Sequence, residues 1–380
     1  MWKVQLFELN YDAREENAVA QVLKSRWITM GEQTKTFEQK FGEFIGAEHL
    51  PTAVANCTAA LHMALLALDV KKGDEVIISG LTFIADANVV KMVGANPILA
   101  DVSSLTDWNI SAETIAEKIT PRTKAIMIVH YGGVPCEMDE IVSLCKARNI
   151  PLIEDVAHAP GAAYKGKKCG SFGDLSCFSF FTNKNLSVGE GGMVIAKSDE
   201  LNAKIKYIRS HGMSTLTLDR HKGRAITYDV LQPGLNYRMD EMRSALGLVQ
   251  LEKLEEANNN RKALSEYYSK LLAHQPLISI PFQDLTNKKS AYHIYPTLLS
   301  ASINREMLFN SLKEKGIQAS IHYPSFKSFT AYKEEFKNHH TPHCDQICTQ
   351  ELTLPLYPTM PMESVALVVE SLNKAIKEQA

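Results

Sequence analysis

An excess of charge of either sign is missing from this sequence. Its 41 lysines and arginines stand against 43 aspartates and glutamates, which gives a formal net charge of −2. A protein that binds nucleic acid or an anionic membrane through its overall field needs a basic surplus, so the balance predicts neither partner. If the chain binds a phosphate group, specific residues must hold it locally.

Long apolar runs and a dense cysteine framework are also missing. No stretch reaches the roughly 18 apolar residues of a membrane span, and the first residues, MWKVQLFELNYDAREEN, lack the apolar core of a secretion signal. The seven cysteines are odd in number and lack the regular spacing of a small disulfide-stapled domain. We therefore expect a soluble, cytoplasmic protein in a reducing compartment.

Short runs rich in isoleucine and valine alternate with helical stretches in the first half of the chain. There are four such runs: DEVIISG at 74–80, NPILADV at 96–102, KAIMIVHYGG at 124–133 and IPLIEDV at 150–156. Runs of this kind are typical of strands buried on both faces, so they predict an α/β fold with a mostly parallel sheet. Polar residues follow three of them. Because ligands bind beyond the carboxyl ends of such strands, Asp101, His130 and Asp155 are placed near a potential site, although Asp101 and His130 more often support the fold.

A change of pattern near Leu246 divides the chain in two. A long helical segment begins there and is followed by shorter strand and helix segments such as HIYPTLL and ESLNKAIKEQ. The length of 380 residues suits one large and one smaller domain. We therefore predict a large domain at 1–250 and a small C-terminal domain at 251–380.

Lys184 is the centre of the most informative stretch, IEDVAHAPGAAYKGKKCGSFGDLSCFSFFTNKNLSVGEGG at 153–192. It follows the strand-like run LSCFSFF and precedes Gly189, Gly191 and Gly192, which permit a tight turn and the close backbone approach that a cofactor ring requires. A lysine that forms a Schiff base must lose its proton near neutral pH, and the apolar flank predicts a closed pocket where it could do so.

Asp155 comes directly after the predicted strand IPLIE. A carboxylate there could pair with the nitrogen of a pyridinium ring, so that the ring acts as an electron sink. The alternative is purely structural, because Asp155 could cap the turn that follows it.

A phosphate group needs donors, and the segment ANCTAALHMALLAL at 55–68 offers a polar entry to an apolar helix. The backbone amides of Thr58 and Ala59 would point at an anion there, aided by the helix dipole. Taken alone, however, the segment, with Asn56 and Thr58 at its polar entry, is more often just a capped helix. Ser179 could add a hydroxyl, and Phe83 could stack on a cofactor ring, although a phenylalanine usually packs in the core.

These segments, in this order, resemble the sugar aminotransferases of the DegT/DnrJ/EryC1/StrS family, which are fold type I enzymes that use pyridoxal 5'-phosphate. The resemblance runs along nearly the whole chain. Its clearest segments are SRWITMGEQTKTFEQKF, ANCTAALHMAL, GLTFIADANVV, HYGGVPCEMDEI, IEDVAHAPGA, GSFGDLSCFSFFTNKNLSVGEGG, NYRMDEMRSALGLVQL, IHYPSF and LPLYPTM. So many ordered matches make a chance resemblance improbable.

The resemblance implies a role for each candidate residue. It implies that Lys184 carries the cofactor as a Schiff base and that Asp155 binds the pyridinium nitrogen. The other implied cofactor contacts are His158 near the phenolic oxygen, Phe83 at the stacking position, Thr58, Ala59 and Ser179 at the phosphate, and Asn236 reaching the phosphate from a partner subunit. A homodimer with shared active sites follows from Asn236. Some family members have histidine in place of the lysine and are dehydratases, so Lys184 favours transamination.

The implied reaction is transfer of an amino group, with glutamate as the expected donor, to a keto sugar attached to a nucleotide. We place Tyr237, Arg238, His322 and Tyr323 near the acceptor, with packing at a subunit interface as their alternative role. Two alternatives remain: another fold type I enzyme, such as a lyase or a cyclitol aminotransferase, and a regulatory relative without turnover. We expect no metal site, because the spacing in HHTPHCDQIC at 339–348 matches no standard zinc site.

Overall fold

A seven-stranded sheet forms the centre of the computed structural model, which describes residues 2–215, 223 and 226–379. The strand order is β1-β9-β8-β5-β4-β2-β3, and β9 runs antiparallel to both of its neighbours while the other contacts are parallel. The strands are β1 (Thr52–Val54), β2 (Glu75–Ser79), β3 (Asn96–Ala100), β4 (Thr123–Val129), β5 (Leu152–Asp155), β8 (Leu175–Ser179) and β9 (Gly192–Ala196). The predicted mostly parallel α/β sheet is confirmed.

Both faces of this sheet are covered by apolar side chains. On β2, Val76 and Ile78 belong to one core cluster while Ile77 belongs to another, and on β4 Met127 alternates in the same way with Ile126. Successive side chains of a strand point to opposite faces, so continuous apolar runs are what a sheet covered on both sides requires.

Helices lie on both faces of the sheet, and further helices follow in the last third of the chain. Those in the first two thirds are α1 (Ala13–Ser25), α2 (Glu32–Ile45), α3 (Cys57–Ala67), α4 (Ala85–Met92), α5 (Ala112–Ala116), α6 (Met138–Arg148), α7 (Asp199–Arg209) and α8 (Glu241–Leu272). Those that follow are α9 (Arg305–Glu314), α10 (Lys333–Phe336), α11 (Pro342–Gln350) and α12 (Met362–Lys377). No helix in the described ranges is long and apolar enough to cross a membrane.

A second core lies around a three-stranded antiparallel sheet near the C-terminus. Its order is β10-β12-β13, with β10 (Ile278–Ser279), β12 (Tyr295–Leu299) and β13 (Glu351–Leu354). Side chains of α8, α9 and α12 pack on it, and so does Val4 from the opposite end of the chain. A small sheet of β6 (Ala163–Tyr164), β7 (Lys167–Lys168) and β11 (Lys288–Lys289) joins the two halves of the sequence.

The division at position 250 stays a prediction. Helix α8 is continuous through that position, and it contributes Leu254 to a core beside the large sheet and Leu264 to the core of the small sheet. The N-terminal strand-like residues also belong with the small sheet, because Lys3 and Val4 donate backbone hydrogen bonds to Gly316.

Candidate active site

A cavity of about 630 Å³ lies at the carboxyl ends of the parallel strands. It is bounded by the start of α3, by the segments that follow β5 and β8, and by the segment that precedes the 3₁₀ turn Phe326–Ser328. Eight of the residues predicted from the sequence line it: Thr58, Phe83, Asp155, His158, Ser179, Lys184, His322 and Tyr323. Residues up to 265 positions apart are thus brought to one site.

Lys184 lies in a turn after β8, where its backbone N–H donates to the carbonyl of Phe181 at 2.9 Å. Burial lowers the pKa of its amine to about 8, against the opposing effect of the Asp155 carboxylate. An amine with this pKa is partly neutral near physiological pH, as a nucleophile or base must be.

The glycines that follow the lysine form the predicted tight turn, while their close approach to a cofactor ring stays a prediction. Gly189 adopts a φ of +87°, a left-handed turn that favours glycine. A Cβ atom on Gly192 would lie 2.7 Å from the backbone carbon of Asn56 and 2.8 Å from the carbonyl oxygen of Phe178. The close approach at Gly192 is therefore one between protein backbones, and it seats the start of α3 against β8.

Asp155 is the last residue of β5 and is buried. Its Oδ1 accepts the N–H of Ala157 at 2.8 Å and faces the thiol of Cys57 at 3.8 Å. Burial raises the pKa of this carboxyl, while the Ala157 N–H and Lys184 oppose the rise. The turn-capping role is thus real, but the hydrogen bonds described go to Oδ1 and leave Oδ2 available to a ligand.

The protonation of His158 follows from its partners. The backbone N–H of Gly132 donates to His158 Nδ1 at 3.2 Å, so the ring proton must be on Nε2, which then donates to the hydroxyl oxygen of Tyr323 at 2.8 Å. Burial, together with the charge of Lys184, lowers the pKa of His158 well below its usual value. The imidazole therefore stays neutral and leaves the Tyr323 O–H free to donate into the cavity.

His322 is oriented from behind by two residues of β13. The hydroxyl of Thr353 donates to the Glu351 carboxylate, so its oxygen accepts from His322 Nδ1 at 2.8 Å. The backbone N–H of His322 donates to Glu351 Oε2 at 2.7 Å. Burial lowers the pKa of His322 to about 3, which leaves a neutral ring with the lone pair of Nε2 unused by this network.

The start of α3 is capped by Asn56, whose side-chain oxygen accepts the Ala59 N–H at 2.8 Å. Thr58 and Ser179 line the cavity, whereas Ala59 lies outside its lining. The capped-helix interpretation of this segment is confirmed, and a phosphate role stays a prediction for Thr58, Ala59 and Ser179.

Three predicted residues lie outside the cavity of their own chain. Asn236 is exposed and pairs through its backbone with Ser210, while Tyr237 directs its hydroxyl to His62 Nδ1 at 3.1 Å. The Arg238 Nη1 atom is buried without a hydrogen-bond partner in the described part of the chain. The roles predicted for these three residues would therefore have to be at a site other than the cavity of their own chain. Phe83 is 54 % exposed beside the ring of Tyr323 and remains a candidate for stacking.

His130 and Asp101 support the fold. His130 Nε2 pairs with Glu154 at 3.0 Å, and its Nδ1 accepts the N–H of Cys136. Asp101 accepts the backbone N–H groups of His343 and Cys344 at the start of α11. In the described ranges, no group of three or more His, Cys, Asp and Glu side chains could hold a metal ion.

Sequence reasoning missed two polar groups beside the predicted site. His293 Nε2 lies 3.4 Å from Lys184 Nζ, although 109 residues separate them in the chain. Asp86, on α4, is buried beside Asp155. Asp86 belongs to the segment GLTFIADANVV and His293 begins HIYPTLL, but neither pattern indicates a role for them, because each reaches the site only through the packing of its helix or loop.

Comparison with known proteins identifies the family. Residues 10–373 match the model of the DegT/DnrJ/EryC1/StrS aminotransferase family. The chain belongs to this family. It is 38% identical over 371 residues to the uncharacterized protein MJ1066 of Methanocaldococcus jannaschii, covering 96% of this chain and 95% of that one.

Solved structures of aminotransferases share the fold of this family member. PseC of Helicobacter pylori, an aminotransferase involved in the biosynthesis of pseudoaminic acid, superposes with a TM-score of 0.91 at 29% identity, covering 99% of both chains. The putative sugar aminotransferase Spr1654 of Streptococcus pneumoniae in its PLP-form gives a TM-score of 0.90 at 26% identity, covering 100% of this chain and 99% of that one. The predicted fold type is confirmed.

The residues of the cavity fit the cofactor of this family, pyridoxal phosphate. A neutralisable lysine, a carboxylate with an available oxygen and two hydroxyl-bearing residues share one cavity. The Asn183 side-chain oxygen, which also belongs to the lining, is buried without a partner among the described residues and can accept a hydrogen bond from a ligand. The DegT/DnrJ/EryC1/StrS member described here is a pyridoxal-phosphate-dependent aminotransferase.

Proposed function

We propose that this aminotransferase moves an amino group from glutamate to a keto sugar attached to a nucleotide, with Lys184 as the catalytic residue. The observation that carries the proposal is the buried Lys184 amine, with a pKa of about 8, facing a cavity lined by Asp155 and His158. A lysine held in this way can be both the attachment point of the cofactor and a proton carrier.

Pyridoxal phosphate, when bound, supplies an electron sink for the electrons released at the reacting carbon. Lys184 would hold it covalently at rest. Once the amino donor has displaced the lysine, the freed amine of Lys184 would take a proton from the donor carbon that bears the nitrogen. The same amine would then return this proton to the cofactor. Donor and acceptor would use the same amine in turn, so ping-pong kinetics are expected.

Asp155 and Tyr323 would hold the cofactor ring. Asp155 Oδ2 is available to accept the N–H of a pyridinium ring, which keeps that ring positively charged. Tyr323 accepts from His158, so its own O–H can donate to the phenolic oxygen of the ring. His158 would then act through Tyr323. Thr58 and Ser179 would bind the phosphate.

The acceptor is proposed to be a sugar because the related Spr1654 is described as a putative sugar aminotransferase. His322 would face the sugar with the unused lone pair of its Nε2, which can accept a hydrogen bond from a hydroxyl group. A nucleotide on the sugar would extend toward the open side of the cavity and supply binding energy away from the reacting carbon.

A homodimer would complete the site. Asn236 lies on the surface, and the segment before it in sequence carries large apolar side chains, Ile226, Val230 and Leu231, that are all more than half exposed. An exposed apolar patch of this kind favours coverage by a partner. Asn236 would then contact the phosphate of the partner's cofactor, and Tyr237 and Arg238 would lie near the partner's sugar substrate.

A half-reaction tests the proposal. Protein carrying pyridoxal phosphate is mixed with glutamate, and the cofactor absorbance is followed until nucleotide-linked keto sugars are added. We expect conversion to the amine form, reversal by the correct keto sugar, and no conversion with Lys184→Ala. The exposed Lys165→Ala is the matched control and should behave like the wild type. An unchanged spectrum with every amino donor would overturn transamination and favour a lyase or a regulatory role.

A further inference from the structure

The amine of Lys184 has a specific neighbour. His293, in the segment before β12, is 3 % exposed, and its Nε2 lies 3.4 Å from Lys184 Nζ. Whether this contact orients the amine depends on which ring nitrogen of His293 carries the proton, because only an unprotonated Nε2 can accept an N–H from the lysine.

The hydrogen bonds of Asn185 settle the tautomer. Asn185 Nδ2 donates at 2.7 Å to the side-chain oxygen of Asn258 and at 2.7 Å to the carbonyl of Ala291. With both amide hydrogens used there, the Asn185 Oδ1 atom, 2.8 Å from His293 Nδ1, is an acceptor. His293 therefore carries its proton on Nδ1, and the lone pair of Nε2 is directed at Lys184.

The imidazole is held from several sides. The backbone N–H of His293 donates to the carbonyl of Gly132 at 3.0 Å, and Asn258 Nδ2 donates to the carbonyl of Pro160 at 3.0 Å. The ring of His158 lies 4.4 Å away from that of His293, centroid to centroid. Asn185 follows Lys184 directly in sequence, so the turn that carries the lysine also fixes the ring that the lysine contacts.

The charges around His293 keep it neutral. Burial lowers the pKa of its imidazole well below the usual value, and the positive charges of Lys184 and Arg261 act in the same direction. Two groups oppose the loss of a proton from the lysine itself, Asp155 and Cys57. A proton shared between the two side chains thus resides on Lys184, and the ring remains an acceptor.

The geometry points to His293 as the positioning residue for Lys184. It accepts one N–H of the free amine, which restricts the directions open to the lone pair of Nζ whenever the lysine is not bound to the cofactor. This inference rests on the proposed function in one respect, that Lys184 is the lysine that carries the cofactor. His293 itself transfers no proton and forms no bond in the reaction.

Two substitutions separate orientation from packing. Glutamine can place an amide oxygen near the position of Nε2, whereas asparagine reaches only the position of Nδ1 and can still donate to Asn185. His293→Gln therefore retains an acceptor for the lysine, and His293→Asn removes it. The exposed His274→Asn is the matched control. Thermal unfolding of all four proteins reports any general loss of structure.

The measurement uses protein stripped of cofactor, so it does not depend on turnover. The rate at which acetic anhydride modifies Lys184 is followed from pH 6 to 10 by mass spectrometry of the peptide that contains it. The wild-type midpoint is expected at about 8. In His293→Asn the midpoint should fall by about one pH unit, because the ammonium form loses an acceptor. His293→Gln and the control should keep the wild-type midpoint.

A second measurement reports orientation alone. At pH 10 the amine is neutral in every variant, so the rate at which stripped protein forms its covalent bond with pyridoxal phosphate depends on the direction of the lone pair. We expect a roughly tenfold loss in His293→Asn and less than about threefold in His293→Gln. Equal behaviour of the two variants, or unchanged midpoint and rate in His293→Asn, would overturn the inference.

The failure of the proposed function would look different. Reduction of the loaded wild type with borohydride should attach the cofactor to the Lys184 peptide. If the cofactor were attached to another lysine, the assignment of Lys184 would fail, while the acetic anhydride midpoints would still report whether His293 orients its amine.

Discussion

The carboxyl group of Asp86 is buried beside the Asp155 carboxyl, whose charge acts on it. Asp86 Oδ2 accepts from the hydroxyl of Thr82 at 2.6 Å, while its Oδ1 is buried with no hydrogen-bond partner among the described residues. Burial and the charge of Asp155 raise the pKa of Asp86 well above its usual value. Two buried carboxyl groups in contact cannot both ionise cheaply, so Asp86 is the one that keeps a proton.

Replacement of Asp86 by asparagine is therefore expected to stabilise the protein at neutral pH. The amide mimics the protonated acid, since its oxygen can accept from Thr82 and its nitrogen can donate to Asp155. A carboxyl whose pKa is raised on folding holds its proton more tightly in the folded state, so the stability of the wild type falls as pH rises above about 4. Asp86→Asn removes that loss, and its advantage should grow between pH 5 and pH 8.

Urea unfolding of cofactor-free protein at these two pH values measures the difference. Glu117→Gln, at an exposed carboxyl just beyond the last residue of α5, is the control and should show no such trend. An advantage for Asp86→Asn that shrinks with rising pH would contradict the assignment of the proton to Asp86.

Lys184 is expected to cost the protein stability. Its pKa falls from 10.5 to about 8 on burial, so the folded state binds its proton more weakly than the unfolded state, and stability is lost as pH falls from above 10 toward 8. Below pH 8 the cost is constant. Lys184→Met, which keeps the length of the side chain without its charge, should therefore raise the free energy of unfolding at pH 7 by about 2 kcal/mol.

That gain should be smaller than the full pKa shift implies, because the side chain still reaches the cavity and water. Cofactor-free proteins are compared by urea unfolding at pH 7 and pH 10, and the gain should shrink at the higher pH. If the variant were less stable than the wild type at pH 7, the amine would have to be solvated rather than buried.

The sequence predicts that Lys184 and Asp155 lie beside one cavity, because Asp155 ends β5 and Lys184 follows β8 within one stretch of 40 residues, where strand order determines position. The phosphate site is harder to predict, since a helix start suits both an anion and a side-chain cap. In this structure the Ala59 N–H donates to the Asn56 cap. His293 could not be predicted, because its contact with Lys184 depends on how the segment before β12 packs against the turn after β8.

Gly192 provides a test of packing beside the site. A methyl group there would lie under 3 Å from backbone atoms of Asn56 and Phe178, which cannot move aside as a flexible side chain would. We expect Gly192→Ala to destabilise the protein by about 1–3 kcal/mol. Gly189→Ala, at a site with open space but a φ of +87°, should cost about 1 kcal/mol from backbone strain alone.

The unfolding midpoint of Gly192→Ala should therefore lie below that of Gly189→Ala. The same displacement would shift the start of α3 and with it Thr58, so Gly192→Ala should also weaken the binding of pyridoxal phosphate, whereas Gly189→Ala should not do so through this contact. A Gly192→Ala protein with wild-type stability would show that the strand and helix can separate without cost.

The proposed sharing of active sites in a homodimer leads to a prediction that tests it through two variants together. Lys184→Ala removes the catalytic amine, and Asn236→Asp places a negative charge where the phosphate of the partner's cofactor is proposed to bind. Each homodimer should be nearly inactive.

In a mixed dimer, one site combines the intact Lys184 of one subunit with the intact Asn236 of the other, while the second site carries both changes. Half of the sites in mixed dimers should therefore be active, and activity should appear when the two variants are coexpressed. If each chain used its own Asn236, every site of the mixed dimer would carry one damaging change, and coexpression would restore nothing. The exposed position of Asn236, outside the cavity of its own chain, favours the first outcome.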